Sequence, residues 1–213
     1  MPHRLTTLGA MSDFKPGEFW DARYGSEDAV YGEGPNAFFR ECLDGLLPGR
    51  ILLPGDGEGR NGLHAAASGW SVRSFDASMV GVEKCLGIAA ARGLTVDAEW
   101  GTCEQWMPGE SFDAVGLFYL HLLPAIRADF HARVATWLKP GGTLILEGFG
   151  PGQLAFDSGG PKAFDMLFTV DMLTRDFASL ELAQAETKCV LLDEGPYHRG
   201  RAEVTRIVAR RPL

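Results

Sequence analysis

The stretch Ile51 to Gly62, ILLPGDGEGRNG, places four glycines within eight residues directly after a short apolar run. Glycine lets a chain turn tightly from strand into helix and lets a ligand approach where a Cβ would clash. The loop is therefore suited to holding a nucleoside cofactor. Two registers overlap in it: Gly57-x-Gly59-x-x-Gly62 matches the dinucleotide fingerprint, whereas Gly55-x-Gly57-x-Gly59 begins nearer the end of the apolar run at Leu53. The second fits better, because the first glycine of such a loop follows the strand directly, and it leaves Gly62 inside the next helix as a packing residue. Asp76, closing the next apolar run in SVRSFDAS, offers a carboxylate to the vicinal hydroxyls of a ribose, whichever nucleoside is bound. Its other use is as a cap for a helix from Met79, a position for which Ser78 is better placed. His121 and His198 titrate near neutral pH and are the candidate bases, the plainer alternative being a polar ring bonded to a backbone carbonyl.

Those residues need a frame, and the chain supplies a regular one. Short apolar runs at Ile51 to Leu53, Val72 to Phe75, Val96 to Trp100, Ala114 to Tyr119 and Thr143 to Leu146 alternate with helix-length segments at Asn61 to Ser68, Met79 to Arg92 and Pro124 to Leu138. Strands alternating with helices of that size form βαβ units and a parallel sheet. Upstream, a short helix near Glu18 to Arg23 and a second from Asn36, capped by that residue, are expected. Downstream, a helix around Val170 to Phe177 precedes two extended runs joined through Pro196 to Gly200, which read as an antiparallel hairpin. The fold class is α/β: a doubly wound, mostly parallel seven-stranded sheet ending in that hairpin.

Composition narrows the function. A chain of 213 residues with 46% hydrophobic content has one sizeable core. A net charge of -8 repels nucleic acid and favours a small-molecule ligand. Four scattered cysteines without a CxxC pair fit a reducing compartment rather than a disulfide scaffold or a metal site. Nothing reads as a secretory signal or a membrane span. The expectation is a cytoplasmic monomer or homodimer, with residues 1–12 a flexible tail and Met11 an alternative start.

The loop ILLPGDGEGRNGLHAAASG, the FDAS that follows, the LKPGG before the fifth strand and the closing hairpin together resemble the class I S-adenosylmethionine-dependent methyltransferases. With FWDARYG near the start and DEGPYHRGRAEVTRIVARR at the end, the pattern is most similar to the tellurite-resistance and thiopurine methyltransferase-like branch, over Phe19 to Arg211. The resemblance implies a Rossmann-like methyltransferase fold with S-adenosylmethionine as cofactor and no metal. Residues 13–49 would be a helical lid, 50–148 the cofactor core, and 149–213 a substrate wall with the hairpin. Gly55, Asp56, Gly57 and Gly59 would line the methionine portion, Asp56 meeting its amino group. Asp76 would take the ribose, Ala77 and Ser78 would flank the adenine, and Thr102 and Cys103 would edge it. Phe118 and Tyr119 would face the sulfonium, with Trp20, Arg23 and Tyr24 closing over it. Many relatives carry Leu-Gly-Cys-Gly where this chain has Pro54-Gly55-Asp56-Gly57, and often Asp where it has Thr102.

Methyl transfer from a sulfonium requires alignment and exclusion of water, and a base only when the nucleophile arrives protonated. Hence the roles open to His121 and His198. The turn-rich segment after the fifth strand, EGFGPGQLAFDSGGPKAFDMLF, supplies a candidate substrate wall in which Phe149, Gln153 and Glu147 are contacts, joined by Tyr31 and Arg199. Arg127 and Arg201 are further candidates for holding an anionic group. The expected acceptor is a small soft nucleophile, a thiol or chalcogen oxyanion. Two other classes compete: an NAD(P)-binding reductase, weakened by the lack of a substrate domain and of a Tyr-x-x-x-Lys pair, and a non-catalytic S-adenosylmethionine-binding regulator.

Overall fold

The computed structural model describes residues 15–26 and 29–213; the tail expected at residues 1–12 lies outside them. Seven strands form one sheet: β1 (Arg50–Pro54), β2 (Ser71–Asp76), β3 (Val96–Trp100), β4 (Phe112–Phe118), β5 (Leu138–Phe149), β6 (Glu181–Asp193) and β7 (Arg199–Arg210). Their order is β3-β2-β1-β4-β5-β7-β6, the first five parallel and β7 antiparallel to both neighbours. The order reverses beside β1, so the crevice of the switch point lies at the loop that follows it.

The central strands β1 and β4 are almost continuously apolar because both faces of the sheet are covered there, whereas β2 and the edge strand β3 admit Arg73, Asp97 and Glu99. On β1, Leu52 enters a core with Phe130 and Val134 of α5 (Pro124–Trp137) and Leu173 of α6 (Val170–Asp176). Its neighbours Ile51 and Leu53 enter the opposite core with α2 (Ala37–Asp44), α3 (Arg60–Ala67) and α4 (Met79–Ala91). A third cluster, Phe149, Leu167, Leu192, Ala202 and Val204, joins the loop after β5 to the hairpin. The strands and helices expected from the sequence are present, with α1 running Pro16–Tyr24 and Asn36 capping α2 through its side chain on the Phe39 N–H at 2.9 Å.

Helix α1 is fixed over the switch point by polar contacts. The Asp21 carboxylate accepts from Ser78 Oγ at 2.6 Å and from the Val80 N–H at 3.1 Å, serving the exposed donors at the start of α4. Glu58 accepts from the Val30 N–H at 2.9 Å and pairs with Lys84 at 2.9 Å. These contacts bring the aromatic N-terminal segment against the glycine loop.

Candidate functional site

The loop after β1 takes backbone angles that only glycine adopts freely: φ is +66° at Gly55, +55° at Gly57 and +84° at Gly59. A Cβ on Gly57 would stand 2.3 Å from the Tyr24 hydroxyl. Asp76 holds the loop in place, accepting from the Gly57 N–H at 2.9 Å through one oxygen and from the Ser78 N–H at 2.8 Å through the other. Each oxygen keeps a second lone pair, and the carboxylate borders the cavity described below. Burial raises its pKa to about 6 against those two N–H groups.

A cavity of about 440 Å³ opens at the carboxyl ends of β1, β2 and β4. Gly55, Asp56, Asp76, Ala77, Thr102 and Cys103 lie along one end. Trp20, Arg23 and Tyr24 of α1 roof it, and Phe118, Tyr119, Tyr31, Phe149, His121 and His198 complete it. Trp20 stacks on Tyr24 at 5.6 Å between ring centres. The Arg23 guanidinium sits 4.0 Å over Tyr197 and donates to the Tyr31 hydroxyl at 3.4 Å, with no carboxylate partner among the described residues.

At the other end stands a buried polar network. Tyr119, the one non-glycine residue of positive φ (+53°) among those described, donates its hydroxyl to Glu147 at 2.9 Å. Glu147, 1% exposed, also accepts from Asn36 at 2.6 Å and from Arg206 at 2.5 Å. Asn36 reaches Glu194 as well, at 3.1 Å, and Arg60 pairs with Glu194 at 2.9 Å. Glu194 in turn lies 3.6 Å from His198 Nδ1. Burial raises the Tyr119 phenol well above its ordinary range, reinforced by Glu147 and Glu194, so it stays a donor. A left-handed angle at a bulky residue is costly and persists where its surroundings over-determine it; here the Tyr119 N–H bonds the Glu147 carbonyl at 2.8 Å, besides the hydroxyl contact.

Several sequence expectations need correction. His121 lines the cavity, but its Nδ1 is 2.8 Å from the Met166 carbonyl and its Nε2 accepts from the Phe149 N–H at 3.0 Å. With both nitrogens engaged, and burial pushing the ring down to about 4, it is a structural strut between two loops rather than a base. Gln153 spends its amide on Ser158, Gly159 and the Glu203 N–H, pinning the loop after β5 to β7, and does not reach the cavity. Arg199 projects into solvent beside Asp193 at 3.7 Å. Arg127 is held by Asp176, which also binds His131, and Arg201 lies over Phe156. Asp56 borders the cavity with its carboxyl turned to the Gly62 N–H at 3.0 Å, and burial raises its pKa to about 8. Ser78, expected to flank the adenine, caps α4 through the Gly81 N–H at 3.0 Å and does not line the cavity. Gly57 and Gly59 are covered by Tyr24 and Cys85 and do not line the cavity. The third glycine of the dinucleotide register, Gly62, faces Asp56 and Val72 inside the domain, as a packing residue should.

With that geometry the comparisons with known proteins agree. Residues 51–142 match the methyltransferase domain family. That stretch runs from β1 into the first part of β5, and the whole chain adopts the Rossmann-like methyltransferase fold. TehB from Haemophilus influenzae superposes with a TM-score of 0.70 at 14% identity, over 92% of this chain and 67% of that one. The N-methyltransferase NodS from Bradyrhizobium japonicum WM9, solved with S-adenosyl-L-homocysteine, gives 0.68 at 13% identity over 94% and 100%. A protein solved for the conversion of a disulfide bond into a thioacetal group during echinomycin biosynthesis gives 0.74 at 19% identity over 92% and 91%. No curated protein matches the chain in sequence. The reading of the glycine loop as a seat for S-adenosylmethionine rather than a dinucleotide is in line with these matches.

The sequence shows Asn36 only as a helix cap and assigns no role to Arg60, Glu194 or Arg206. Only Glu194 carried a local signal, standing four residues before His198 across a turn rich in Gly and Pro. The apolar wall of Leu120, Leu122, Leu123 and Ile126, between β4 and α5, was also missed. It belongs to the non-periodic stretch after β4, where no pattern distinguishes a ligand wall from a connection.

Proposed function

We propose that this protein is an S-adenosylmethionine-dependent methyltransferase acting on a small molecule. The observation that carries the reading is that one cavity holds a glycine loop fixed by Asp76 at one end and a histidine with a carboxylate behind it at the other. A cavity of about 440 Å³ roofed by a helix suits a small acceptor better than a macromolecule. The residues present fit the cofactor. Arg23 has no carboxylate partner among the described residues and suits the methionine carboxylate, Asp76 has lone pairs for the ribose hydroxyls, and Thr102 and Cys103 edge the space for the base.

When bound, S-adenosylmethionine supplies an electrophilic methyl group. The protein's part is to align the acceptor, exclude water and manage its proton. Trp20, Tyr24 and Tyr31 shield the cavity, Tyr119 and Phe149 wall the acceptor, and His198 is the base. Soft nucleophiles, thiols first, suit these aromatic walls, and the likeness to the protein from echinomycin biosynthesis points the same way.

S-Adenosylhomocysteine should raise the melting temperature while NADH and NADPH leave it unchanged, because only a ligand of the native state stabilises it. Asp76→Asn should weaken that ligand about tenfold or more by calorimetry, since bonds to a charged acceptor are worth about 1.5–3 kcal/mol. Stabilisation by a dinucleotide instead would overturn the reading.

A further inference from the structure

The hairpin turn between β6 and β7 carries a second buried carboxylate that the cofactor seat does not require. Glu194 has its side chain 12% exposed and spends one oxygen on Arg60 at 2.9 Å and the other on Asn36 at 3.1 Å. Both partners come from far away in the chain and fix its orientation. The oxygen facing Arg60 is also the one 3.6 Å from His198 Nδ1. That nitrogen is buried and has no hydrogen-bond partner, a costly condition of about 1–3 kcal/mol for a polar group out of water. Tyr31, Tyr119 and Phe149 surround the ring at 4.6, 4.3 and 5.2 Å between centres, and the ring borders the cavity. A Cβ on Gly159 would stand 2.9 Å from its Cδ2, so the loop after β5 closes the remaining side. With Nδ1 turned to Glu194, Nε2 is the nitrogen left for a ligand.

We propose that Glu194 is a positioning residue for His198, holding Nδ1 protonated so that Nε2 takes the proton of an acceptor that arrives as a neutral hydroxyl or thiol. This rests on the methyltransferase reading. In the step, the acceptor O–H or S–H bond breaks, its electron pair stays on the acceptor, and the proton forms a bond with Nε2. The imidazolium so formed is balanced by Glu194, whose 3.6 Å separation contracts to a charge-assisted hydrogen bond. The proton later passes to solvent when the site opens.

The surrounding charges are consistent with this. Arg60 from α3 and Glu194 from the turn face Nδ1, Tyr31, Tyr119 and Glu147 stand around the ring, and His121 lies beyond Phe149. Burial lowers the His198 pKa, opposed by Glu194 and assisted by Arg60, so the resting ring is neutral at physiological pH, as a base must be. Burial alone would raise Glu194, but His198 and Arg60 together hold it below the usual carboxylate range, so it is ionised when needed.

Two measurements test the proposal on the full chain. Imidazole nitrogen NMR without cofactor should show the wild-type His198 protonated on Nδ1 and bare on Nε2. Glu194→Gln should lower its titration midpoint by about one unit or more, the usual effect of removing an opposite charge at this range, and Glu194→Asp should restore part of the shift. An unchanged midpoint and tautomer in Glu194→Gln would overturn the proposal. Rates would then be compared between an alkyl thiol or alcohol and an acidic thiophenol. Glu194→Gln should lose about tenfold more kcat on the protonated acceptor than on the acidic one, with KM little changed, within the range of general-base effects. Equal losses on both would demote Glu194 to a structural part. If S-adenosylhomocysteine fails to stabilise the wild type while the midpoint still shifts, the methyltransferase reading fails and the couple stands.

Discussion

At the cofactor end of the cavity the loop is held by near neighbours: Asp56 bonds Gly62 six residues on, and Asp76 bonds Gly57 nineteen residues back. At the acceptor end Asn36 bonds Glu147 and Glu194, which lie 111 and 158 residues away in sequence. The first end is one βα unit followed by the next strand, so its geometry is already specified by a short sequence. The second exists only once β5, the hairpin and the N-terminal segment have met. It follows that the cofactor seat tolerates damage to the hairpin better than the acceptor site does, and that the two ends fail differently when substituted.

The largest difference should appear at Glu147. Its carboxylate is 1% exposed and joins Tyr119, Asn36 and Arg206. Glu147→Ala leaves the Arg206 guanidinium without its buried partner, and removing one member of such a pair costs about 3–5 kcal/mol. Urea unfolding would measure it, with circular dichroism confirming a native fold. A loss below about 1 kcal/mol would show that the network is solvated in practice and that the acceptor end is not held together by charge.

Gly57→Ala is the matching change at the cofactor end, with a smaller expected effect on stability. The φ of +55° strains any side chain, and the new Cβ meets the Tyr24 hydroxyl at 2.3 Å. Strain of this kind costs about 1–3 kcal/mol, and relief requires Tyr24 to move off the loop. S-Adenosylhomocysteine affinity should fall about 10- to 100-fold, since each 1.4 kcal/mol is a factor of ten. Calorimetry would report it. Full affinity would mean that the loop and α1 shift together without harm to the seat.

The same contrast explains what the chain reveals when read as a line of residues. The alternation of Ile51–Leu53, Val72–Phe75 and their successors with helix-length segments predicts the sheet, because short strands spaced by helices of that size form βαβ units. Asp76 and the glycines are visible for the same local reason. Gln153 and Arg199 were misplaced because residue type alone does not say whether an amide will meet a ligand or the Glu203 N–H. His121 was misjudged in the same way, since its partners Met166 and Phe149 are brought to it by the crossing of two later loops. Arg60 and Arg206 have no local signature and Asn36 shows only as a helix cap; the closed fold joins them through Glu147 and Glu194.

A pH series separates Asp56 from Asp76. Both carboxyls are raised by burial, Asp56 to about 8 and Asp76 to about 6, from an ordinary 3.8. In the unfolded chain each ionises near its ordinary value, so between that value and its folded one the native state binds the extra proton. A raised carboxyl therefore contributes stability at low pH that is lost as pH rises, over roughly 4 to 8 for Asp56 and 4 to 6 for Asp76. Asp56→Asn keeps an acceptor for the Gly62 N–H and removes the proton linkage. Its melting temperature should equal the wild type near pH 4, exceed it progressively up to about pH 8, and run parallel above that, by about 2–4 °C per kcal/mol for a chain of this size. Asp76 stays in both proteins, so the difference between the curves reports the loop carboxyl alone. A variant that melts below the wild type at every pH would show Asp56 to be an ionised, stabilising anion. The cofactor seat would then be held by charge, much as the acceptor end is.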